Sequence, residues 1–379
     1  MSSLKIPDVV AWSLIEAQRF LGDADPVPTE QVPALAKRLR DAGARAVCII
    51  HVERMDGRAL SWLDTEHATG WLASSPSATG TRDQFMHQMA AALAKGFVAA
   101  DAAVLATMVN AEGWHVDEPA LLPQLSWDEQ PRFTLELSTP STAAHDRPLG
   151  LYAIVDSADR LKQVLAAGVK TVQLRIKTPA HPDPSWFETL RRDVQRSVAA
   201  SEAAGAELFV NDHWQVAAQS GATGVHLGQE DLLALGDAGR RALHGTGMAL
   251  GISSHSLWEL CRAATLTPRY IACGPVWPTL TKAMPWQPQG LDNLAWWCRM
   301  APAPVVAIGG ILGAAQVEQA ASCGADGICI VRGLGKRPEA VVRRLQAALE
   351  AGRKAMAADA IHGTGPHPSL PGNARPAGR

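Results

Sequence analysis

The sequence predicts an α/β protein whose C-terminal half folds into a closed (β/α)8 barrel. Three observations predict it: short apolar runs recur between residues 149 and 335, amphipathic segments separate them, and their spacing is even. Runs that are apolar on both faces are typical of parallel strands covered by helices. An open doubly wound sheet is the alternative, but it rarely needs eight such even repeats.

The eight predicted strands share apolar interiors and end in polar residues. They are Leu151–Asp156, Thr171–Lys177, Leu208–Asp212, Gly224–Gln229, Ala249–His255, Tyr270–Val276, Val305–Gly310 and Gly327–Arg332. Helix-period segments lie between them, for example Arg160–Ala167, Trp186–Ala204 and Leu291–Met300. The carboxyl ends of barrel strands carry the ligand site in this fold, so the polar residues there are the candidates for function.

Length and composition predict a second unit before the barrel. A chain of 379 residues is long for one core. We expect an α/β domain over residues 1–137, a linker over 138–148 rich in turn formers, and the barrel over 149–350. Residues 351–379 are predicted to end the last helix and continue as a disordered tail, because residues 362–379 are rich in Gly and Pro.

The charge and hydropathy pattern excludes several classes of partner. A formal net charge of −2 gives no basis for nucleic-acid or anionic-membrane binding. No apolar stretch reaches the roughly 20 residues of a membrane span, and the first ten residues lack the apolar run of a secretory signal. We expect a cytoplasmic protein acting on small molecules, and whether it forms a homo-oligomer stays open. The six cysteines are scattered, which predicts reduced, packed thiols and no zinc cluster.

Cationic and amide side chains end the second predicted strand. Gln173, Arg175 and Lys177 alternate with a period of two, so an extended strand would place them on one face, which in a barrel can be the interior. Cations pointing inward are costly unless an anion meets them, which predicts an anion site. A solvated edge strand is the alternative interpretation.

Acidic residues end the third and fourth predicted strands. Asn211 and Asp212 end one strand, and Asp231 follows the next. Carboxylates at neighbouring strand ends can hold one Mg2+ that keeps waters and binds substrate phosphates. The alternative for Asp231 is that it caps the following helix.

Hydroxyls, a lysine and glycines follow the later strands. Ser253 lies in the fifth strand, and the Pro-rich stretch after the sixth carries Thr279, Thr281 and Lys282. We interpret that stretch as a mobile lid over a diphosphate. Gly309–Gly310 ends the seventh strand, where backbone N–H groups could bind phosphate, although a tight turn explains the glycines equally well.

Six motifs in this order and spacing resemble thiamine-phosphate synthase over Leu149–Gly335. They are VQLRIK, VND, GVHLGQED, GISSH, GPVWPTLTK and AIGGI. The resemblance implies that Gln173, Arg175 and Lys177 bind the pyrimidine and its diphosphate. It implies further diphosphate contacts from Asn211, Ser253 and Lys282, and Mg2+ ligation by Asp212 and Asp231. It also implies a thiazole-phosphate site at Thr279, Thr281, Gly310, Val331 and Arg332.

The implied reaction joins a hydroxymethylpyrimidine diphosphate to a thiazole phosphate, with Lys177, Lys282 and Arg175 stabilising the departing diphosphate. Two positions depart from the family. His213 stands where an Arg is frequent, and Arg332 stands where many members have a small Ser. Three alternatives are a thiazole tautomerase, a non-catalytic thiamine-phosphate sensor, and another phosphate-binding barrel enzyme. The presence of Lys177, the acidic pair and the P-T-x-T-K loop favours the synthase.

The N-terminal half carries a different resemblance. A helix over Pro33–Ala42, a strand over Ala46–Val52, a hairpin over Gly57–Ala73 and a turn into a helix over Gly80–Gly96 are predicted. Two stretches, EAQRFLG from Glu16 and TGTRDQF from Thr79, make it similar to the C-terminal part of a hydroxymethylpyrimidine-phosphate kinase of the ribokinase class.

That kinase family uses a G-T-G-D turn as an anion hole, with the Asp as base. Here Arg82 replaces the second glycine and would crowd the backbone N–H groups, while Asp83 keeps the base position. The family's N-terminal half has no counterpart, so we expect an inactive relic. The alternatives are a half-site completed in trans, a pyrimidine-binding module, and a dimerisation module.

Overall fold

The computed structural model describes residues 6–133, 147–279, 285–358 and 365–371. The N-terminal part is built on a mixed five-stranded sheet in the order β1-β2-β3-β4-β7, and a two-stranded ribbon β5-β6 lies beside it. The strands are β1 Val9–Trp12, β2 Ala46–Met55, β3 Arg58–Thr65, β4 Thr69–Ala73, β5 Val109–Asn110, β6 Gly113–Trp114 and β7 Gln124–Leu125. The helices are α1 Leu14–Leu21, α2 Val32–Asp41, α3 Arg82–Ala94 and α4 Ala99–Ala106. The predicted helix, strand, hairpin and glycine-led helix are confirmed.

Eight parallel strands close into a barrel in the C-terminal part, as predicted, in the order β10-β11-β12-β13-β14-β15-β8-β9. They are β8 Gly150–Val155, β9 Thr171–Leu174, β10 Glu207–Asn211, β11 Gly224–Leu227, β12 Ala249–Ser254, β13 Tyr270–Cys273, β14 Val305–Ala307 and β15 Gly327–Ile330. The helices are α5 Ala158–Ala166, α6 Pro184–Ala203, α7 Trp214–Gln219, α8 Gln229–Ala234, α9 Gly236–His244, α10 Leu257–Ala263, α11 Gly290–Met300, α12 Ala314–Ser322 and α13 Pro338–Ala358. Each strand ends one to three residues before its predicted end, because the polar residues there turn out of the ladder into loops.

The barrel interior holds a layer of aromatic rings. Tyr152, Phe209 and Tyr270 meet with ring centroids 5.1 to 5.9 Å apart. Two glycines make room for them: a Cβ at Gly251 would lie 2.2 Å from Cζ of Tyr270, and one at Gly224 would lie 2.6 Å from the Phe209 ring. The interior is therefore packed by side chains, as expected for a barrel of this size.

The two parts share a continuous apolar core that includes residues of both. Arg262 of α10 makes several contacts with the N-terminal part. It is 2% exposed; its Nε and Nη2 donate to the carbonyl oxygens of Ser126 and Thr69, at 3.2 and 2.7 Å. Its guanidinium also lies over the Trp127 ring at 5.7 Å. The helix α10 is consequently anchored in the N-terminal part as well as in the barrel.

A buried carboxyl strengthens the same junction. Asp101 of α4 accepts a hydrogen bond of 3.1 Å from the backbone N–H of Trp258, in the first turn of α10. It is 1% exposed. Burial raises the pKa of Asp101 to about 7, and the nearby Glu259 carboxylate acts in the same direction. The N-terminal part thus caps a barrel helix with a group that titrates near neutrality.

The end of the chain differs from the prediction. Residues 365–371, expected to belong to a disordered tail, pack on the barrel, where Leu370 is 3% exposed. The backbone of Ser369 accepts from Gln287 at 2.8 Å, and His367 pairs with Asn293 and Gln289. The buried side chain of Leu370 and these hydrogen bonds hold the segment in place. Its Gly and Pro content, on which the prediction of disorder rested, does not indicate these contacts.

Two composition-based expectations can be compared with the structure. All six cysteines are free thiols, as predicted, and all but Cys298 are buried. Within the described ranges, no helix is long and apolar enough to cross a membrane. Most of the expected linker, residues 138–146, lies outside the described residues. Its last two residues are described, and Arg147 donates to the carbonyl oxygens of Gly205 and Lys170.

Candidate functional site

The predicted site residues that the structure describes lie near the carboxyl ends of the barrel strands, either in their last residues or in the segments that follow. In chain order these are Gln173, Arg175, Lys177, Asn211, Asp212, Asp231, Ser253, Thr279, Gly310, Val331 and Arg332. Because all eight strands run parallel, these ends form one mouth of the barrel. Thr281 and Lys282 lie outside the described residues.

The three side chains of Gln173, Arg175 and Lys177 do not lie on one face of a strand. The prediction from their alternating spacing is therefore wrong. β9 ends at Leu174, so only Gln173 points into the barrel, where it is 2% exposed. Arg175 is half-buried and Lys177 is exposed in the following loop. The residues therefore reach the mouth at different depths, with the amide deepest and the second cation outermost.

Two carboxylates lie near each other at the mouth. Burial within the mouth and then the Asp231 carboxylate raise the pKa of Asp212, although its side chain stays open to solvent. Asp212 has a left-handed backbone (φ 64°), which is uncommon outside glycine and is found at functional positions. Asp231 also accepts a 3.0 Å hydrogen bond from Gly228 N–H. The helix-capping interpretation of Asp231 is thus correct, and it coexists with the proximity to Asp212.

A buried hydrogen-bonded chain runs beneath the mouth, and the sequence argument missed it. Gln173 Nε2 donates to Tyr152 Oη at 3.1 Å, and the two tyrosine hydroxyls, Tyr152 and Tyr270, lie 2.6 Å apart. His226 joins Tyr270 Oη to Ser253 Oγ, at 2.8 and 2.7 Å from its two ring nitrogens. The sequence did contain an indication of this chain, because several of its polar side chains stand within otherwise apolar strands. Buried polar groups need hydrogen-bond partners, so such residues are expected to contact one another.

The histidine of that chain is neutral. Burial, and then the Arg175 and His255 charges, lower the pKa of His226 to about 4. One ring nitrogen therefore donates and the other accepts. Hydrogen bonding therefore runs the same way through both sides of the imidazole, in one of two directions.

The loops after β13 and β14 pack closely. Gly310 has φ 73°, and a Cβ there would lie 2.5 Å from the Cβ of Trp277. A larger residue is excluded at this position by both the backbone conformation and the contact. Arg332, exposed at the start of the 3-10 helix Arg332–Leu334, and Val331 complete this side of the mouth.

A cavity of about 270 Å³ lies away from this mouth. Its lining includes Met248, Pro268 and Pro304, which precede or begin strands, so it opens at the amino ends of the barrel. None of the predicted site residues line it. The polar groups that converge on one point, rather than the cavity volume, identify the candidate site.

The expected anion turn of the N-terminal part is occupied by its own side chains. Thr81 and Gln84 form a capping box at the start of α3. Arg82 forms an ion pair with Glu16, and Asp83 is exposed. The cavity beside this turn, lined by His51, Gly80 and Thr81 among others, is about 20 Å³, room for about one water molecule.

In closed (β/α)8 barrel enzymes the ligand site lies at this mouth and frequently includes a phosphate site. The family model described as "Thiamine monophosphate synthase" matches residues 151–334. A thiamine-phosphate synthase of Rhizobium etli is 43% identical over 52% of this chain and 91% of its own. One of Neisseria meningitidis serogroup A is 45% identical over 53% of this chain and 94% of its own.

The chain therefore belongs to the thiamine-phosphate synthase family, a family of transferases. Among solved structures, a thiamine phosphate pyrophosphorylase from Pyrococcus furiosus aligns with a TM-score of 0.46 at 24% identity. That alignment covers 54% of this chain and 98% of the other.

Proposed function

We propose that the barrel joins 4-amino-2-methyl-5-hydroxymethylpyrimidine diphosphate to thiazole phosphate, releasing diphosphate and forming thiamine phosphate. The observation that carries this proposal is the family membership together with the gathering of the motif residues at one mouth. The methylene carbon of the pyrimidine loses diphosphate, and the amino-substituted ring delocalises the positive charge. The thiazole nitrogen then attacks that carbon, so no side-chain nucleophile is required.

The cationic side binds the diphosphate in this proposal. Arg175 and Lys177 follow β9 at the mouth, and Lys282, outside the described residues, completes the set. Fixed cations stabilise the charge that grows on the leaving group because they need little reorganisation during the reaction. Gln173 lies deepest and is assigned to the pyrimidine, with Asn211 and Ser253 donating to the diphosphate.

The acidic pair suits Mg2+. Burial and then the nearby Asp231 carboxylate raise the pKa of Asp212, and a bound cation would oppose both effects. Within the described residues, no cluster of three or more His, Cys, Asp or Glu side chains could hold a metal. Two carboxylates match an ion that keeps waters and binds substrate phosphates. When bound, Mg2+ would neutralise charge on the diphosphate.

The opposite side of the mouth is assigned to thiazole phosphate. Gly310 keeps the turn after β14 close to Trp277, and Val331 and Arg332 lie on the next loop. Thr279, with Thr281 outside the described residues, follows β13 between the two halves of the site. The two substrates would thus enter the same mouth from neighbouring strands, which places the nitrogen near the methylene carbon.

We assign no chemistry to the N-terminal part. Its resemblance to a pyrimidine-phosphate kinase, the Arg82–Glu16 ion pair and the cavity of about 20 Å³ support an inactive relic. We propose domain boundaries at 1–137 and 149–350 around the linker 138–148. We also propose a cytoplasmic protein that binds small molecules and neither nucleic acid nor membranes.

The test is a coupled assay on the purified full chain. Pyrimidine diphosphate, thiazole phosphate and Mg2+ are supplied, and diphosphate and thiamine phosphate are both measured. Stoichiometric formation of the two products, dependent on thiazole phosphate and lost with EDTA, is the expected result. A folded protein that forms no thiamine phosphate under these conditions would overturn the proposal. Supplying pyrimidine monophosphate and ATP instead tests the N-terminal part, where no product is expected.

A further inference from the structure

We propose that the buried chain Gln173–Tyr152–Tyr270–His226–Ser253, here called the relay, aims the hydroxyl proton of Ser253 at the diphosphate. The proposal rests on the proposed function for the identity of the ligand. Within it, Tyr152, Tyr270 and His226 are positioning residues, because none of them needs to touch substrate. Ser253 is the residue of the relay that meets the diphosphate, and Gln173, at the other end, is the one assigned to the pyrimidine.

The direction of the relay follows from counting protons. Gln173 Nε2 donates to Tyr152, so the Tyr152 hydroxyl donates to Tyr270, whose own proton goes to a His226 ring nitrogen. The ring nitrogen that accepts carries no proton, so the other ring nitrogen holds it and donates to Ser253 Oγ. Ser253 accepts at one lone pair, and its proton is left for another acceptor.

The opposite direction fails within these five side chains. If Ser253 donated to His226, the imidazole would donate to Tyr270 and Tyr270 to Tyr152. Tyr152 would then accept from both Tyr270 and Gln173, and its own proton would have no acceptor in the relay. The two tyrosines are 2% exposed or less, and a buried hydroxyl without an acceptor is destabilising. The amide of Gln173 thus sets the direction for all five groups.

The surrounding packing holds the relay in place. Tyr270 stacks on His226 with ring centroids 5.7 Å apart and an interplanar angle of 18°. The glycine at 251 leaves the space that the Tyr270 ring occupies. Because these contacts hold the Tyr270 ring against Gly251 and His226, we expect the Ser253 hydroxyl to be oriented before a ligand arrives. Such preorganised donors stabilise developing anionic charge better than freely rotating ones.

The test is a double-mutant cycle between Tyr270→Phe and Ser253→Ala. Tyr270→Phe alone is expected to lower kcat/KM for the pyrimidine diphosphate by about 10-fold and to weaken product inhibition by diphosphate, leaving the KM for thiazole phosphate unchanged. In the Ser253→Ala background it should have no further effect beyond about 2-fold, because the hydroxyl it orients is gone.

Phe209→Leu is the matched control. Phe209 contacts both tyrosine rings but has no place in the hydrogen-bonded chain. Any decrease in kcat/KM that Phe209→Leu causes comes from looser packing. In the double variant this decrease should therefore add to the decrease caused by Ser253→Ala. If Tyr270→Phe also adds fully to Ser253→Ala, the relay does not act through Ser253 and the proposal is wrong.

A binding measurement separates this proposal from the proposed reaction. Calorimetric titration of each protein with inorganic diphosphate, in the presence of Mg2+, measures binding without turnover. We expect Tyr270→Phe to bind diphosphate more weakly than the wild type does. If the wild type forms no thiamine phosphate yet shows this difference, the reaction is misassigned and the relay stands. Equal binding by both proteins would overturn the relay whatever the reaction.

Discussion

The Nε2 of His213 lies 3.0 Å from the carbonyl oxygen of Ile176, the residue between Arg175 and Lys177. A carbonyl only accepts, so this nitrogen carries the proton. The ring also packs edge-on to Trp186, with centroids 5.6 Å apart. His213, noted as a departure from the family pattern, therefore ties the cationic loop after β9 to the acidic strand end after β10.

Replacing His213 tests that connection. His213→Ala should raise the KM for the pyrimidine diphosphate by about 5- to 10-fold, because losing one hydrogen bond of about 1 kcal/mol frees the loop that carries both cations. The KM for thiazole phosphate should not change. Steady-state kinetics check this, with the exposed His181→Ala in the same loop as control. Equal effects of the two variants would show that His213 does not order the loop.

Removing one carboxylate charge tests the metal site. Asp231→Asn should lower Mg2+-dependent turnover by at least about 100-fold, since a metal contributes several kcal/mol to stabilising a departing anion. The asparagine oxygen can still accept from Gly228 N–H, so the thermal midpoint should stay close to that of the wild type. Glu230→Gln, exposed one residue earlier, is the charge-matched control and should keep its activity. Full activity of Asp231→Asn would remove this carboxylate from the metal site.

The buried Asp101 predicts how stability depends on pH. Its folded pKa, about 7, lies above the ordinary 3.8, so the folded state binds more protons and stability falls as pH rises between these values. The loss is at most about 4 kcal/mol. In Asp101→Asn this loss should be absent, so the variant gains stability relative to the wild type as pH rises from 4 to 7. Urea unfolding of both proteins at pH 5 and 8 measures it, and the exposed Asp117→Asn should follow the wild type.

Arg262 predicts the strength of the junction between the two parts. Burial lowers the pKa of Arg262 to about 10, so it stays charged at neutral pH. Arg262→Met keeps much of the volume but leaves the carbonyl oxygens of Ser126 and Thr69 without their donor, which should destabilise the chain by about 2 kcal/mol. Arg241→Ala breaks only the exposed pair with Asp237 and should cost less than about 0.5 kcal/mol. Chemical unfolding checks both, and similar losses would contradict this ranking.

The barrel was predictable because its strands are apolar on both faces and separated by amphipathic helices. The ends of the strands were not predictable. Arg175 and Lys177 continue the alternating pattern of a strand, but they lie beyond the last residue of β9 and outside the sheet. β7 is only two residues long, too short for a periodic signal. The packed segment 365–371 depends on Leu370 and on hydrogen bonds to Asn293, which are distant in sequence.

The gathering of the motif residues at one mouth was predictable from the sequence, and the contacts in the barrel interior beneath them were not. Asp212 and Asp231 could be paired because neighbouring strand ends meet in a parallel sheet. The contact of His226 with Tyr270 joins residues 44 positions apart across the barrel, and nothing local in either strand indicates it. His213 was noticed only as an unusual residue, because its partner is a backbone carbonyl.

Every residue of α10 is buried, including Glu259 and Arg262, although the outer face of a barrel helix ordinarily meets water. Deleting the N-terminal part would remove the contacts of Asp101 with Trp258 and of Ser126 and Thr69 with Arg262, and would uncover part of this buried helix. Newly exposed apolar surface of that kind leads to aggregation. The N-terminal part therefore serves the barrel as a cover, whatever else it does. Once a neighbouring surface has turned apolar, selection retains the part of the chain that covers it.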